Sequence, residues 1–164
     1  MPILNVEQPE IIQIDETLRL RKFDGIFDFA LVWYQDPETL MLVDGAPEPY
    51  DMEKLRRMYQ YLNSQGECYF IELQTGDSFR PVGDVTFWQE DMPIVIGEKS
   101  LWGQGIGTRV IQALIQRGKE LGFDCMMVDE IYHENQRSQK LFTKCGFQQC
   151  RETPRGKSFR LNLT

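Results

Sequence analysis

Residues 101–122, "LWGQGIGTRVIQALIQRGKELG", set Gly103, Gly105 and Gly107 directly ahead of a helical pattern. Glycine at that density gives up stability for backbone freedom, which suits a turn that something approaches closely. A helix start offers unpaired N–H groups and the positive end of a dipole, so phosphate is the first candidate. A tight turn with no ligand is the other reading. A mononucleotide loop ends in Gly-Lys-Ser/Thr, but Gly107 is followed by Thr108 and Arg109, with no lysine to reach a phosphate. A dinucleotide fingerprint needs G-x-G-x-x-G in the first strand-to-helix turn. Here the spacing is G-x-G-x-G, after several earlier strand patterns.

Other chemistries find little support. Cys68, Cys125, Cys145 and Cys150 form no C-x-x-C pair, and His133 is the single histidine, so no metal site is expected. The scattered thiols fit a reducing cytoplasm. The N-terminal "MPILNVEQPEII" lacks a charged-then-apolar signal layout, and no apolar run approaches membrane-spanning length. With 18 basic and 25 acidic side chains the formal charge is −7. Such a chain is a poor binder of nucleic acid or an anionic membrane, and its charge favours cationic ligands such as amines or serves plain solubility.

The elements that must hold the glycine turn can be read from patterning. At 164 residues and 41% hydrophobic content, one domain over residues 1–164 is expected. "TLRLRKF" alternates as a half-buried strand, and residues 24–43 read as helical, with Asp36 and Pro37 as a cap and first-turn pair. "MEKLRRMYQYLNSQG" is an amphipathic helix ending near Gly66. "CYFIEL" and "VGDVTFWQ" are strands about a hairpin turn in "QTGDSFRP", and "MPIVIGE" is a strand leading into the glycines. The helix beyond, starting near Gln104, puts Val110, Ile111, Leu114, Ile115 and Leu121 on one face. "CMMVDEIY" is a strand, "NQRSQKLFTKCG" a helix, and the remainder a hairpin turning at Pro154–Gly156. Hairpins mixed with helices predict an α+β fold.

"WGQGIG" resembles the pyrophosphate motif of the GNAT superfamily of acyl-CoA-dependent N-acetyltransferases, Arg/Gln-x-x-Gly-x-Gly/Ala, with Gly105 and Gly107 as its glycines. Its Arg/Gln position falls on Trp102, as in the branch containing ribosomal-protein N-terminal and aminoglycoside acetyltransferases. "HENQRSQKLFTKCGF" is similar to a second family signature, through Asn135, Ser138, Phe142, Gly146 and Phe147. "TLRLRKF" and "YQDPET" resemble the usual opening of that branch, so the likeness runs over residues 17–163. It implies a mixed, largely antiparallel central sheet whose fourth and fifth strands splay apart, flanked by about four helices.

The resemblance also implies acetyl-CoA as cosubstrate. Its diphosphate would be gripped by backbone N–H groups across Trp102, Gly103, Gln104, Gly105, Ile106, Gly107 and Thr108. Its pantetheine arm would pair with Ile94, Val95 and Ile96, one of whose N–H groups polarises the thioester carbonyl. Asn135 would offer its amide to that arm while also serving as an N-cap. Lys140, with Arg109 and Arg137, would lie near the phosphates. An attacking amine must lose a proton, since alkyl ammonium groups have pKa values of about 10. Acidic residues near two positions in aminoglycoside-modifying relatives point to Glu130 and Asp91, with Asp129, Glu98 and His133 as rivals. Many members protonate the departing thiolate with a tyrosine where this chain has Phe142; Tyr132 and Tyr34 are possible stand-ins. Trp33, Tyr34, Asp36 and Tyr50, from the first helices and their loop, would receive the amine, which is a small molecule or a peptide. The expected unit is a monomer or a homodimer.

Overall fold

The structure, a computed structural model, describes residues 1–164. Two antiparallel sheets organise it. The first has the order β1-β2-β3-β4-β5, from Ile11–Gln13, Leu18–Lys22, Glu67–Thr75, Ser78–Phe87 and Ile94–Ile96. The second has the order β6-β8-β7, from Cys125–Tyr132, Gly156–Asn162 and Gln148–Glu152. β5 thus ends one sheet and β6 ends the other. With β1 added at the start of the chain, these two are the strands expected to splay. Four α-helices accompany them: α1 (Pro37–Val43), α2 (Met52–Gln65), α3 (Ile106–Glu120) and α4 (Gln136–Lys144).

Local chemistry sets most boundaries. Asp36 and Asp51 cap α1 and α2 by accepting from the N–H groups of Thr39 and Lys54, and Pro37 fits the first turn of α1 because it has no N–H to leave unpaired. β2 alternates, burying Leu18 and Leu20 fully. Residues 24–43 read as helical with a cap at Asp36; the part before that cap is a 3-10 stretch, Asp28–Gln35, broken at Tyr34 before α1 begins. The β3–β4 turn is tighter than "QTGDSFRP" suggested, because both strands continue to Thr75 and from Ser78. α3 starts at Ile106, two residues later than read, and a short 3-10 turn at Lys99–Leu101 precedes it.

By internal contact the chain divides into two compact units, residues 1–86 with 94–102, and residues 87–93 with 103–164. The core of the first is aromatic. Trp33, Tyr34, Tyr50, Tyr59 and Phe70 pack with Leu40 and Leu55, and Phe29 meets Phe70 edge-on at 4.8 Å. In the second, α3 packs against α4 and β6, burying Val110, Ile111 and Leu114, while Phe142 meets Phe147 edge-on at 5.2 Å.

Candidate active site

The turn into α3 has the conformation that its glycines permit. Gly103 and Gly105 sit at φ 78° and 83°, where a Cβ would be strained, and a Cβ on either would meet nothing within 4 Å. Open space therefore lies over the turn. The first intrahelical bond runs from the Arg109 N–H to the Gly105 carbonyl at 3.1 Å. The N–H groups of Ile106, Gly107 and Thr108 precede it, and Gly105, as N-cap, has no side chain to cap them. Such a turn has donors, dipole and room for a diphosphate. Gly107 serves a different purpose: it is helical, and a Cβ there would press on Leu141 of α4 at 3.1 Å. Gln104 is exposed on the turn, while the Ile106 side chain points into the core.

In the first unit, Ile94, Val95 and Ile96 are all half-buried, and they pair in register with Val85, Asp84 and Gly83 of β4. As an end strand β5 leaves a row of backbone groups outside its ladder. The Trp102 indole N–H donates to the Ile96 carbonyl at 2.8 Å, tying the residue before the glycines to the end of that strand.

In the second unit, Asp91 and the Glu130 region come together. The β6–β8 register slips between Val128 and Ile131, a bulge of the kind that re-aims side chains. The Asp129 N–H at that bulge donates to Asp91 Oδ1 at 3.1 Å, and Glu130 Oε2 accepts from the Thr153 hydroxyl at 2.5 Å. Burial pushes the Asp91 carboxyl above its ordinary value, against the backbone N–H groups of Asp129 and Met92. The rivals are engaged elsewhere. Glu98 is ion-paired with Arg80, the Asp129 carboxylate lies 3.6 Å from Arg151, and His133 is exposed, 4.0 Å from Glu152. Asn135 caps α4 by accepting from the Ser138 N–H at 3.1 Å. Lys140 lines an open groove with Lys144 and Lys157. Phe142 is a core residue, and the Tyr132 ring lies under Arg155 at 4.5 Å.

Of the residues expected to meet the amine, three are packed in the core. Trp33, Tyr34 and Tyr50 are only 5%, 1% and 6% exposed, and all belong to the aromatic core. A Cβ on Gly97 would fall within the Trp33 indole, which shows how closely that side chain is covered. Asp36 accepts from the Thr39 N–H as the α1 cap and is paired with Lys99 Nζ at 3.0 Å; these partners, the cap first, hold its carboxyl below the usual range.

Tyr34 reveals a residue that the sequence reading passed over. Its hydroxyl donates to Asp84 Oδ2 at 2.6 Å, and the Tyr59 hydroxyl donates to the same oxygen at 2.8 Å. Burial raises the Asp84 carboxyl to about 6, opposed by these two bonds. A lone carboxylate in the apolar run "VGDVTFW" was the available signal.

A family profile described as an acetyltransferase (GNAT) domain matches residues 17–148. An uncharacterized protein of Methanocaldococcus jannaschii is 24% identical over 156 residues, covering 92% of this chain and 32% of its own length. The chain therefore spans about a third of that curated relative. Among solved structures, the fold is similar to RimL, a ribosomal L7/L12 alpha-N-protein acetyltransferase solved with coenzyme A. The TM-score is 0.75 at 18% identity, covering 93% of this chain and 98% of RimL. It is also similar to the aminoglycoside acetyltransferase AAC(6')-Ib solved with acetyl-CoA. There the TM-score is 0.73 at 15% identity, covering 90% of this chain and 94% of the other.

Proposed function

This chain belongs to the GNAT acetyltransferase family, and from that premise we propose that it is a single N-acetyltransferase domain. It would move the acetyl group of acetyl-CoA to a primary amine by direct attack in a ternary complex. The observation that carries this reading is the α3 turn: three N–H groups with no cap, beneath two left-handed glycines and open space. Those groups would hold the diphosphate, with Trp102, Gly103 and Gln104 completing the turn and Lys140 supplying positive charge nearby. Acetyl-CoA supplies the activated acyl group and a thiolate leaving group. The outward backbone edge of Ile94–Ile96 would orient the pantetheine arm and direct an N–H at the thioester oxygen. Asn135 would add its amide to that arm.

Glu130 and Asp91 would receive the amine as an ammonium ion and assist its deprotonation. The bond from the Asp129 N–H to Asp91 supports this pairing because it fixes one carboxylate beside the bulge that carries the other. Phe142 cannot protonate the thiolate. A thiol has a pKa of about 8.5, so solvent or the product's own proton suffices. We place the activity in the cytoplasm, as a monomer or homodimer, in keeping with four free thiols. No helix is long and apolar enough to cross a membrane.

The net charge of −7 favours a polycationic small molecule, such as an aminoglycoside, as acceptor. The likeness to RimL gives peptide N-termini as the second reading. Thiol release from acetyl-CoA, measured with aminoglycosides, polyamines and peptides, tests both. Turnover with the polycations is expected; turnover with peptides alone would move the acceptor to the second reading. Affinity for acetyl-CoA with no turnover of any amine would leave an acyl-CoA-binding module and refute the enzyme.

A further inference from the structure

The charge of the chain is unevenly spread. Residues 135–164 carry seven basic side chains and one acidic, Glu152, a net of +6, so against the total of −7 the first 134 residues carry −13. This basic stretch folds as α4, β7 and β8, all within the second unit. Lys140 and Lys144 of α4 and Lys157 of β8 line an open groove of about 680 Å³, the size of a ligand cleft, and no carboxylate lines it. None of these lysines holds an ion pair, whereas Lys22 and Lys99 do. Glu152 is engaged elsewhere: it accepts from Gln149 Nε2 at 2.7 Å and lies 4.0 Å from His133. Nor does the groove belong to the glycine turn, which meets α4 at Leu141, a residue outside the groove's lining.

Beside the groove runs a free strand edge. β7 ends the second sheet, its five residues are exposed, and its outward backbone groups lie outside the ladder. Gln149 of β7 stands directly opposite Phe159 of β8, and both side chains line the groove. Opposed residues share a face, so alternate side chains of a strand added to β7 would project into the same groove. Lysines and a bulge, here between Gln149 and Arg151, are ordinary guards of an edge against stray pairing. A guard made of lysines without acid partners disfavours neutral and basic strands and admits an acidic one, whose carboxylates relieve the repulsion among the ammonium groups.

We infer that the β7 edge and its lysine groove form a docking site for an extended acidic segment of a partner protein. The segment adds as a strand to β7, and its alternate carboxylates meet Lys140, Lys144 and Lys157. This site is separate from the acetyl-transfer reading and does not depend on it. Nucleic acid is the other polyanion to weigh. It would gain nothing from the strand edge, and its long run of phosphates would be repelled by the −13 on the rest of the chain.

The probe is a short fluorescent peptide alternating Glu with Val, titrated at low salt and read by anisotropy. It should bind, salt should weaken it, and the same peptide with Gln for Glu should bind about tenfold more weakly or worse. Two further versions carry N-methyl groups on the odd or on the even residues. Only one edge of the peptide pairs with β7, so one version should fail and the other should bind. Lys144→Glu combined with Lys157→Glu should weaken the Glu peptide about tenfold or more, with Tm and acetyl-CoA affinity unchanged. No binding of the Glu peptide, equal binding of the Gln peptide, or wild-type affinity in the double variant would overturn the site. Equal binding of both N-methylated versions would overturn the strand addition. A single-stranded oligonucleotide that bound more tightly than the Glu peptide would transfer this face to nucleic acid and overturn the inference.

Discussion

Asp84 carries a cost that an ordinary core residue does not. Its carboxyl is raised from 3.8 to about 6, so the folded protein holds this proton more tightly than the unfolded chain does. The associated stability is fully present below the unfolded value and is lost as pH climbs through the folded one. For a fully buried group the difference is about 3 kcal/mol. Asp36 works in the opposite sense and in another window: its carboxyl is lowered, so its contribution is lost only as pH falls below the ordinary carboxylate value. The comparison with Asp84→Asn isolates the first. From about pH 3 to pH 8 the unfolding free energy of the variant should gain about 3 kcal/mol on that of wild type, read by denaturant titration. A gap that does not change with pH would mean that Asp84 titrates as it does in the unfolded chain.

The α3 turn is an element whose glycines separate by purpose. Gly105 is required by its φ of 83°, not by crowding, so Gly105→Ala should cost about 1–2 kcal/mol of stability. It would also place a methyl group in the open space above the N–H groups, and acetyl-CoA affinity by calorimetry should drop about tenfold or more. Gly76, at φ 63° in the β3–β4 turn with equally open surroundings, is the control: Gly76→Ala should lose similar stability and bind acetyl-CoA normally. Equal losses of affinity in both would remove the turn from the binding site. This element was legible in the sequence because three glycines ahead of a helical pattern form a local signal, as do the caps Asp36 and Asn135. β1 was not, since Ile11–Gln13 is a strand only through its pairing with Arg19–Arg21. Nor was the Asp84 cluster. Its tyrosines are 50 and 25 residues away in sequence, and the packing that joins them also takes Tyr34 out of reach of a large amine.

At the scale of the whole molecule, two facts bear on which amine is used. The chain passes between its two compact units after residues 86, 93 and 102, so the Asp91 loop and β5 are successive pieces of one segment. The 25 acidic side chains outnumber the 18 basic ones, which leaves −7 to act on every charged ligand. A field of that sign raises the encounter rate of a polycation and lowers that of an anion, and salt weakens both effects because the screening length shrinks to about 8–10 Å at moderate ionic strength. Acetyl-CoA is itself anionic, so the two substrates should respond in opposite directions. Raising the salt should reduce kcat/KM for a polycationic amine several-fold and reduce that for a monoamine less, while the affinity for acetyl-CoA holds or rises. Equal sensitivity for both amines would show that the charge serves solubility, and would shift the acceptor toward peptide N-termini. A fall in acetyl-CoA affinity larger than that for the amine would instead mean that the cations at Arg109, Arg137 and Lys140 dominate the local field.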